Sequence, residues 1–269
     1  METKLSKRSA GSAVATAIAM TLLAGSANAD HAWSNYHWAR SKNPFTLGLG
    51  DNLSSVWDPY LQTTSSDWSV SNVLDTTVVA GQSSQRRCRA STGRVEVCNG
   101  SYGNNGWLGI ASISVSGSHI TSGTVRVNDT YFNTAQYNTT AWRNLVMCQE
   151  VGHIFGLDHQ DENFNNQNLG TCMDYTNSPS SNQHPNAHDY EELSIIYSHL
   201  DGSAAAKLSQ AQSDAPPAME QLYLAGPAQW GRVIGRYADG RPRVYELDFG
   251  RGYKIITHVF WLPESRGTR

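Results

Sequence analysis

The sequence predicts an α+β domain built on a twisted mixed sheet. The alternating run Phe45-Thr46-Leu47-Gly48-Leu49 is typical of a strand, and Leu53 to Leu61 carries an apolar stripe with helical spacing. A β-rich run, Val73 to Val79, follows this helix. Strand, helix and strand therefore alternate at the start, and three more β-rich runs close the chain.

Two further strands and a central helix follow. Trp107–Val115 and Thr124–Val127 are candidate strands, the second of them alternating and bounded by turn residues. Asn138-Thr139-Thr140 offers helix-capping side chains, and a helix is predicted from about Ala141 to Phe155. Gly156 is a natural end for that helix.

The rest of the chain divides by composition. Residues 157–187 are polar and predict an irregular loop, and a last helix is predicted from His188 to Leu200. Residues 30–200 would form the main domain, and residues 201–221, rich in small residues with two prolines, a linker. Residues 222–269 predict a small β-rich C-terminal appendage. Its three strands are Val233–Tyr237, Arg243–Asp248 and Tyr253–Phe260.

The N-terminus has the pattern of a secretory signal peptide. Lys4, Lys7 and Arg8 precede a run of apolar and small residues, and Ala27-Asn28-Ala29 is a cleavage pattern. Residues 1–29 are therefore predicted to be removed, which leaves Asp30 first. The sequence predicts export, to the periplasm or outside the cell, and no membrane span in the mature chain.

Charge argues against nucleic acid as a partner. Without residues 1–29 the chain keeps 17 Lys and Arg against 22 Asp and Glu, a formal charge of −5. It has no basic block, so neither nucleic acid nor an anionic membrane is an expected partner.

All four cysteines lie in the exported part. An even number in an oxidising compartment favours two disulfides, although three pairings are open. We favour Cys88–Cys98, which closes a local loop, together with Cys148–Cys172, which would join the two segments that carry the chemistry.

Those segments begin with Gln149-Glu150-Val151-Gly152-His153, followed by Gly156 and His159. On a helix, residues 149 and 153 project from one face, about one turn apart, so that both can hold one ion. Glu150 lies beside them, where it can polarise a water without binding the metal itself. Gly156 lets the chain turn, so that His159 can reach the same ion.

This pattern, with Met173 in Thr171-Cys172-Met173-Asp174-Tyr175 downstream, resembles the metzincin clan of zinc endopeptidases, and the element order is most similar to matrixins. The resemblance covers roughly residues 44–200. It implies a zinc ion, Met173 in a turn beneath it, and Glu150 as the general base. It also implies that Tyr175 helps to stabilise the oxyanion, although core packing is an equal alternative for that residue.

The clan has His where this chain has Gln149. Three outcomes are open: Gln149 binds zinc through its amide oxygen, another residue completes the ligands, or the scaffold binds metal poorly. The candidates for the second outcome are Asp158, Asp174, His184 and His188. Cys148 lies on another side of the helix from His153, which favours its disulfide over metal binding.

Several other residues were interpreted as ordinary surface or hydrogen-bonded groups. These are the histidines His31, His37, His119, His199 and His258. The oxygen-rich loop 161–168 leaves a structural calcium ion as an alternative, but it lacks EF-hand spacing, which favours a polar loop.

The sequence therefore predicts a secreted zinc-dependent endopeptidase acting on protein or peptide substrates. Its metal ligands would be His153, His159 and Gln149. Two alternatives stay open: an exported binding protein that keeps the scaffold without catalysis, and hydrolysis of a non-peptide amide. The sequence does not predict the oligomeric state.

Overall fold

The structure is a computed structural model that describes residue 1 and residues 31–202, 215–237 and 239–263. The predicted signal peptide after Met1, the predicted first residue Asp30 and positions 203–214 of the predicted linker lie outside the described residues. Among the helices of the described part, none is long and apolar enough to cross a membrane.

One mixed sheet of nine strands organises the described residues. The strands are β1 (His37–Trp38), β2 (Phe45–Asn52), β3 (Leu74–Ala80), β4 (Val95–Gly100), β5 (Trp107–Ser116), β6 (His119–Asn128), β7 (Arg232–Arg236), β8 (Pro242–Asp248) and β9 (Tyr253–Trp261). Their order across the sheet is β3-β2-β4-β6-β5-β9-β8-β7, and β1 pairs with β6 outside this path. The neighbouring strands in the first half of this order, β3-β2-β4-β6, pair in parallel. The neighbouring strands in the second half, β6-β5-β9-β8-β7, pair antiparallel.

Five helices accompany the sheet in the described residues. They are α1 (Asp58–Trp68), α2 (Asp129–Phe132), α3 (Thr140–Ile154), α4 (Ala187–Ile196) and α5 (Pro217–Glu220). The predicted central helix is confirmed as α3, and the Thr139 hydroxyl caps it by accepting from the Trp142 amide. Asn186 and Asp189 form a reciprocal capping box that starts α4.

Two local predictions differ from the structure. The helix predicted from Leu53 begins only at Asp58, because Pro59 lies in its first turn, where a missing N–H costs nothing. β4 was not predicted at all. It runs parallel between β2 and β6 and is buried along Val95–Asn99, including the charged residue Glu96.

The C-terminal strands form the predicted meander, but they continue the main sheet instead of forming a separate appendage. β9 pairs with β5 along most of its length, in antiparallel register, and β8 and β7 follow. A strand edge presents unpaired N–H and C=O groups, and β9 satisfies those of β5. Alternation predicts that a strand exists; it does not predict which edge the strand joins.

Candidate metal centre

Helix α3 carries three of the predicted site residues, Gln149, Glu150 and His153, all of them fully buried. The helix ends at Ile154, and Gly156, which follows the capping residue Phe155, has a φ of 99°. A Cβ at this position would clash with the carbonyl oxygen of Tyr36, so glycine is required both by the turn and by the close approach. The turn returns the chain to the helix and brings His159 against His153.

Three imidazoles meet at this point. The Nε2 atoms of His153 and His159 are 3.1 Å apart. The ring of His258, from strand β9, lies 4.0 Å from the His153 ring and 4.6 Å from the His159 ring, measured between centroids. One nitrogen from each residue lies within 4.8 Å of the others, and all three side chains are buried.

The interpretation of His258 as an isolated histidine is therefore wrong. The motif that spans α3 and the following loop can be recognised from local residue spacing. His258, in contrast, lies at the site only because β9 pairs with β5. The sequence holds no spacing signal for such a residue. The clue that was available is its position inside a strongly β-rich run.

Hydrogen bonds decide how the two motif histidines are oriented. The Nδ1–H of His153 donates to the carbonyl of Leu157 at 2.8 Å, which leaves a lone pair on Nε2. The Nδ1 of His159 faces carboxylate oxygens of Asp158 at 3.4 Å and Glu162 at 3.5 Å. The Nε2 lone pair of His153 faces Nε2 of His159 across 3.1 Å, a contact that either a proton on His159 or a shared cation satisfies. Among the described residues, neither nitrogen of His258 has a hydrogen-bond partner.

Burial keeps two of the imidazoles neutral. It lowers the pKa of His153 to about 3 and that of His258 well below its usual value. Burial acts in the same direction on His159, but the carboxylates of Asp158 and Glu162 outweigh it and raise its pKa. Neutral imidazole is the form that binds metal, so His153 and His258 are ready to bind across the physiological pH range.

Arg243 on β8 fixes the carboxylates behind His159. Its Nη1 donates to Asp158 at 2.9 Å, and its Nε lies 2.9 Å from Glu162. The C-terminal strands therefore contribute to the centre twice, through His258 and through this ion pair.

Replacing Asp158 with Asn and Glu162 with Gln together is expected to weaken zinc binding about 10- to 100-fold, the usual effect of removing the groups behind a ligating histidine. The affinity can be measured by competition with a chromogenic chelator. Glu191→Gln, on the exposed side of α4, is the control and should bind zinc as the wild type does. Equal affinities in all three proteins would contradict the role assigned to the two carboxylates.

Gln149 and the disulfide join α3 to the segment that holds Met173. The Gln149 Nε2 donates to the carbonyl of Cys172 at 2.7 Å, and its Oε1 is buried without a hydrogen-bond partner in the described chain. The predicted pairs Cys88–Cys98 and Cys148–Cys172 are both confirmed. Zinc binding by Gln149 stays a prediction.

Glu150 lies over strand β5 at Gly109. Both of its carboxylate oxygens are buried and lack hydrogen-bond partners among the described residues. A Cβ on Gly109 would lie 2.6 Å from Oε1 of Glu150, so the glycine makes room for the carboxylate. Burial raises the pKa of Glu150 well above its usual value.

Met173 packs against α3, and Tyr175 packs beside His159. Met173 is fully buried against Gly152 of α3. The ring of Tyr175 lies 4.3 Å from the His159 ring, between centroids. Its hydroxyl donates to the hydroxyl of Tyr237 at 2.6 Å, and Tyr237 in turn donates to the carbonyl of Val259 on β9.

The other candidate ligands are engaged elsewhere. Asp174 accepts from the Leu169 amide and from Asn182, and His184 pairs with Asp67 at 2.7 Å. His188 lies on α4 beside His31. In the oxygen-rich loop, Asp161 and Asn163 accept from backbone amides, and the calcium prediction stays open.

Comparison with known proteins finds no matching family model and no matching curated protein. Several solved structures are similar in part, among them myroilysin and a hatching enzyme. Myroilysin is 12% identical with a TM-score of 0.34, over 59% of this chain and 82% of its own. High choriolytic enzyme 1, a hatching enzyme zinc-protease from the medaka fish Oryzias latipes, is 10% identical with a TM-score of 0.34, over 64% of this chain and 99% of its own. A likeness this distant does not assign a reaction to this chain.

Proposed function

We propose that this chain is an exported zinc-dependent endopeptidase of the metzincin type, in which His153 and His159 hold the metal and Glu150 is the general base. The observation that carries the proposal is the pair of facing Nε2 atoms, 3.1 Å apart, together with Glu150, one turn before His153 on α3, whose buried carboxylate has no hydrogen-bond partner among the described residues. Imidazole nitrogens suit zinc, and a carboxylate without a partner suits proton transfer. Residues 30–200 would form the catalytic domain, 201–221 a linker and 222–269 a covering segment.

The chain supplies the parts that peptide hydrolysis needs. Zinc, when bound, would act as a Lewis acid that activates a water and polarises the scissile carbonyl. Glu150 would take the proton of the attacking water and pass it to the leaving amine, a transfer favoured by its raised pKa. The Tyr175 hydroxyl would stabilise the oxyanion once it no longer donates to Tyr237.

Strand β9 covers this machinery. Glu150 and His153 are 0% exposed, so a peptide cannot reach them in the present arrangement. The edge of β5, along which an extended substrate could add as a further strand, is taken by β9. The described structure therefore corresponds to a closed state, and cleavage requires β9 to separate from β5.

Separation would change the site in two ways. His258 would leave the metal together with β9, and Gln149, whose Oε1 has no partner in the described part of the chain, is the side chain on α3 available to replace it. Tyr237 is tied to Val259 on β9, so it would release the Tyr175 hydroxyl at the same time. The resulting ligands would be those predicted from the motif, Gln149, His153 and His159.

A reversible cross-link between the two strands tests this proposal. Ser112 on β5 and Thr257 on β9 are register partners with their hydroxyl oxygens 2.9 Å apart, so cysteines at both positions can form a disulfide. We expect the oxidised Ser112→Cys/Thr257→Cys protein to bind zinc without cleaving an unfolded protein, and the reduced form to cleave it. Wild type with the same reductant controls for loss of the native disulfides. Cleavage that is equally fast in the oxidised form would contradict the closed state.

The complete burial of Glu150 and His153 favours a second candidate function, that of an exported metal-binding protein without catalysis. Three histidines with Gln149 would fill a tetrahedral zinc shell, and a filled shell is typical of structural sites. Stoichiometric zinc with no cleavage in either the oxidised or the reduced form would support this candidate against the peptidase.

A further inference from the structure

A second group of metal-binding side chains surrounds Asp201, remote in sequence from the motif on α3. One oxygen of Asp201, Oδ1, lies 3.3 Å from Nε2 of His37, 3.2 Å from Nε2 of His119 and 3.5 Å from Nε2 of His199. His37 lies on β1 and His119 starts β6, where the two are register partners. His199 and Asp201 follow α4.

Arg40 fixes the orientation of the Asp201 carboxylate. Its backbone N–H and its Nη1 donate to the other oxygen, Oδ2, at 3.1 Å and 2.9 Å. This pairing offsets the charge of Arg40 and leaves Oδ1 facing the histidines. The Asp201 amide also donates to the carbonyl of Arg40, which ties the two segments together.

The Nε2 lone pair of His37 faces two neighbours at once, Asp201 and His199. The Nδ1–H of His37 donates to the carbonyl of Asn35 at 2.8 Å, so Nε2 of the neutral ring has no proton. That Nε2 also lies 3.3 Å from Nε2 of His199. One proton can satisfy only one of these contacts, whereas a cation satisfies all of them together.

The distances fit a shared metal better than hydrogen bonds. In a tetrahedral zinc site with bonds of about 2.0–2.1 Å, neighbouring ligand atoms lie about 3.3–3.4 Å apart. The three contacts among His37, His199 and Asp201 measure 3.3–3.5 Å, and one ligand atom from each residue lies within 4.8 Å of the others, a group that does not include His119. N–H···O hydrogen bonds usually measure about 2.9–3.0 Å.

We propose that His37, His199 and Asp201 form a second site, for a divalent transition metal, with zinc as the metal to test. Two imidazole nitrogens and one carboxylate oxygen are a donor set that zinc favours, and water would fill the fourth tetrahedral position. His119 supports the site through its contact with Oδ1 of Asp201. The site joins β1 to the segment after α4. The ion can enter from solvent past His199, whose side chain is 54% exposed.

The experiment is zinc stoichiometry by equilibrium dialysis on the mature chain, residues 30–269. We expect about two zinc ions per chain in the wild type and about one in His199→Ala, because loss of one of three protein ligands weakens binding strongly. His184→Ala is the matched control, since His184 is also 54% exposed and also paired with an aspartate. This control should bind as much zinc as the wild type.

Cobalt provides a second readout that does not depend on activity. Addition of Co²⁺ to a His153→Ala/His159→Ala protein should give the visible absorption of a tetrahedral site, and a further His199→Ala substitution should remove it. If His199→Ala binds as much zinc as His184→Ala, or if the cobalt band survives it, the second site does not exist and Asp201 holds only hydrogen-bonded histidines. The failure of the peptidase proposal would leave both results unchanged.

Discussion

Replacing His258 with alanine is expected to weaken zinc binding at the centre on α3 by more than about 100-fold, because removing a direct ligand costs more than the 10- to 100-fold typical of groups behind a ligand. His258 is buried and its two nitrogens lack hydrogen-bond partners among the described residues. The substitution therefore removes ring contacts with Trp33, His153 and His159 but no hydrogen bond within the described part of the chain.

The measurement is a zinc titration against a chelator in a His199→Ala background, which isolates the centre on α3. Gln149→Ala is the matched comparison, since Gln149 is equally buried and donates to Cys172 through its Nε2. With β9 in place, we expect Gln149→Ala to retain zinc much better than His258→Ala. The reverse order would assign the third ligand to Gln149 and leave His258 without a metal role.

Replacing Glu150 with glutamine is expected to lower the rate of cleavage of an unfolded protein by about 100- to 10,000-fold, the usual effect of losing a general base. The substitution keeps the size of the side chain. Glu150 does not belong to the group of three histidines that could hold the metal. Zinc content should therefore stay unchanged while cleavage is lost. The assay uses the reduced form of the Ser112→Cys/Thr257→Cys protein, in which β9 is free to move.

Glu96→Gln provides the control for Glu150, because Glu96 is also fully buried but lies on β4 and pairs with Arg94. This substitution should lower stability, but the folded fraction should still cleave. If Glu150→Gln cleaves as fast as Glu96→Gln, Glu150 is not the base.

Glu150→Gln also has an expected effect on stability. Burial raises the folded-state pKa of Glu150 above its unfolded value, so the folded state binds a proton more tightly than the unfolded one. Glu150 therefore contributes stability to the folded state below the pKa that it has in the unfolded chain. This contribution is lost as the pH rises toward its pKa in the folded state. Near neutral pH, the metal-free Glu150→Gln chain should therefore have a higher melting temperature than the metal-free wild type. In acid, where both states of Glu150 are protonated, the difference should disappear.

The parts of the site that depend on local spacing were predictable from the sequence. Gln149, Glu150 and His153 lie on one helix, and its cap, its end at Gly156 and the return of His159 all follow from neighbouring residues. The disulfide between Cys148 and Cys172 was predicted for a similar reason, since it links two segments already marked by their motifs. These features depend on interactions between residues that are close in the sequence, and such interactions can be inferred from the sequence.

Features that depend on pairing between distant strands were not predictable. His258 joins the centre only because β9 adds to the edge of β5, and His37 meets His119 only because β1 pairs with β6. Alternation predicts the strands but not their partners or register. The sequence therefore predicted the helix that carries the motif and the strand β9, but not the pairing with β5 that places β9 over this helix.

The most direct test of this account is a crystal structure of the zinc-loaded mature chain, with the ion located by anomalous scattering. The account predicts an ion bound at about 2.0–2.1 Å by one imidazole nitrogen from each of His153, His159 and His258, with β9 paired to β5. An ion bound by Gln149, His153 and His159 while β9 remains paired and His258 stays remote from it would contradict the account.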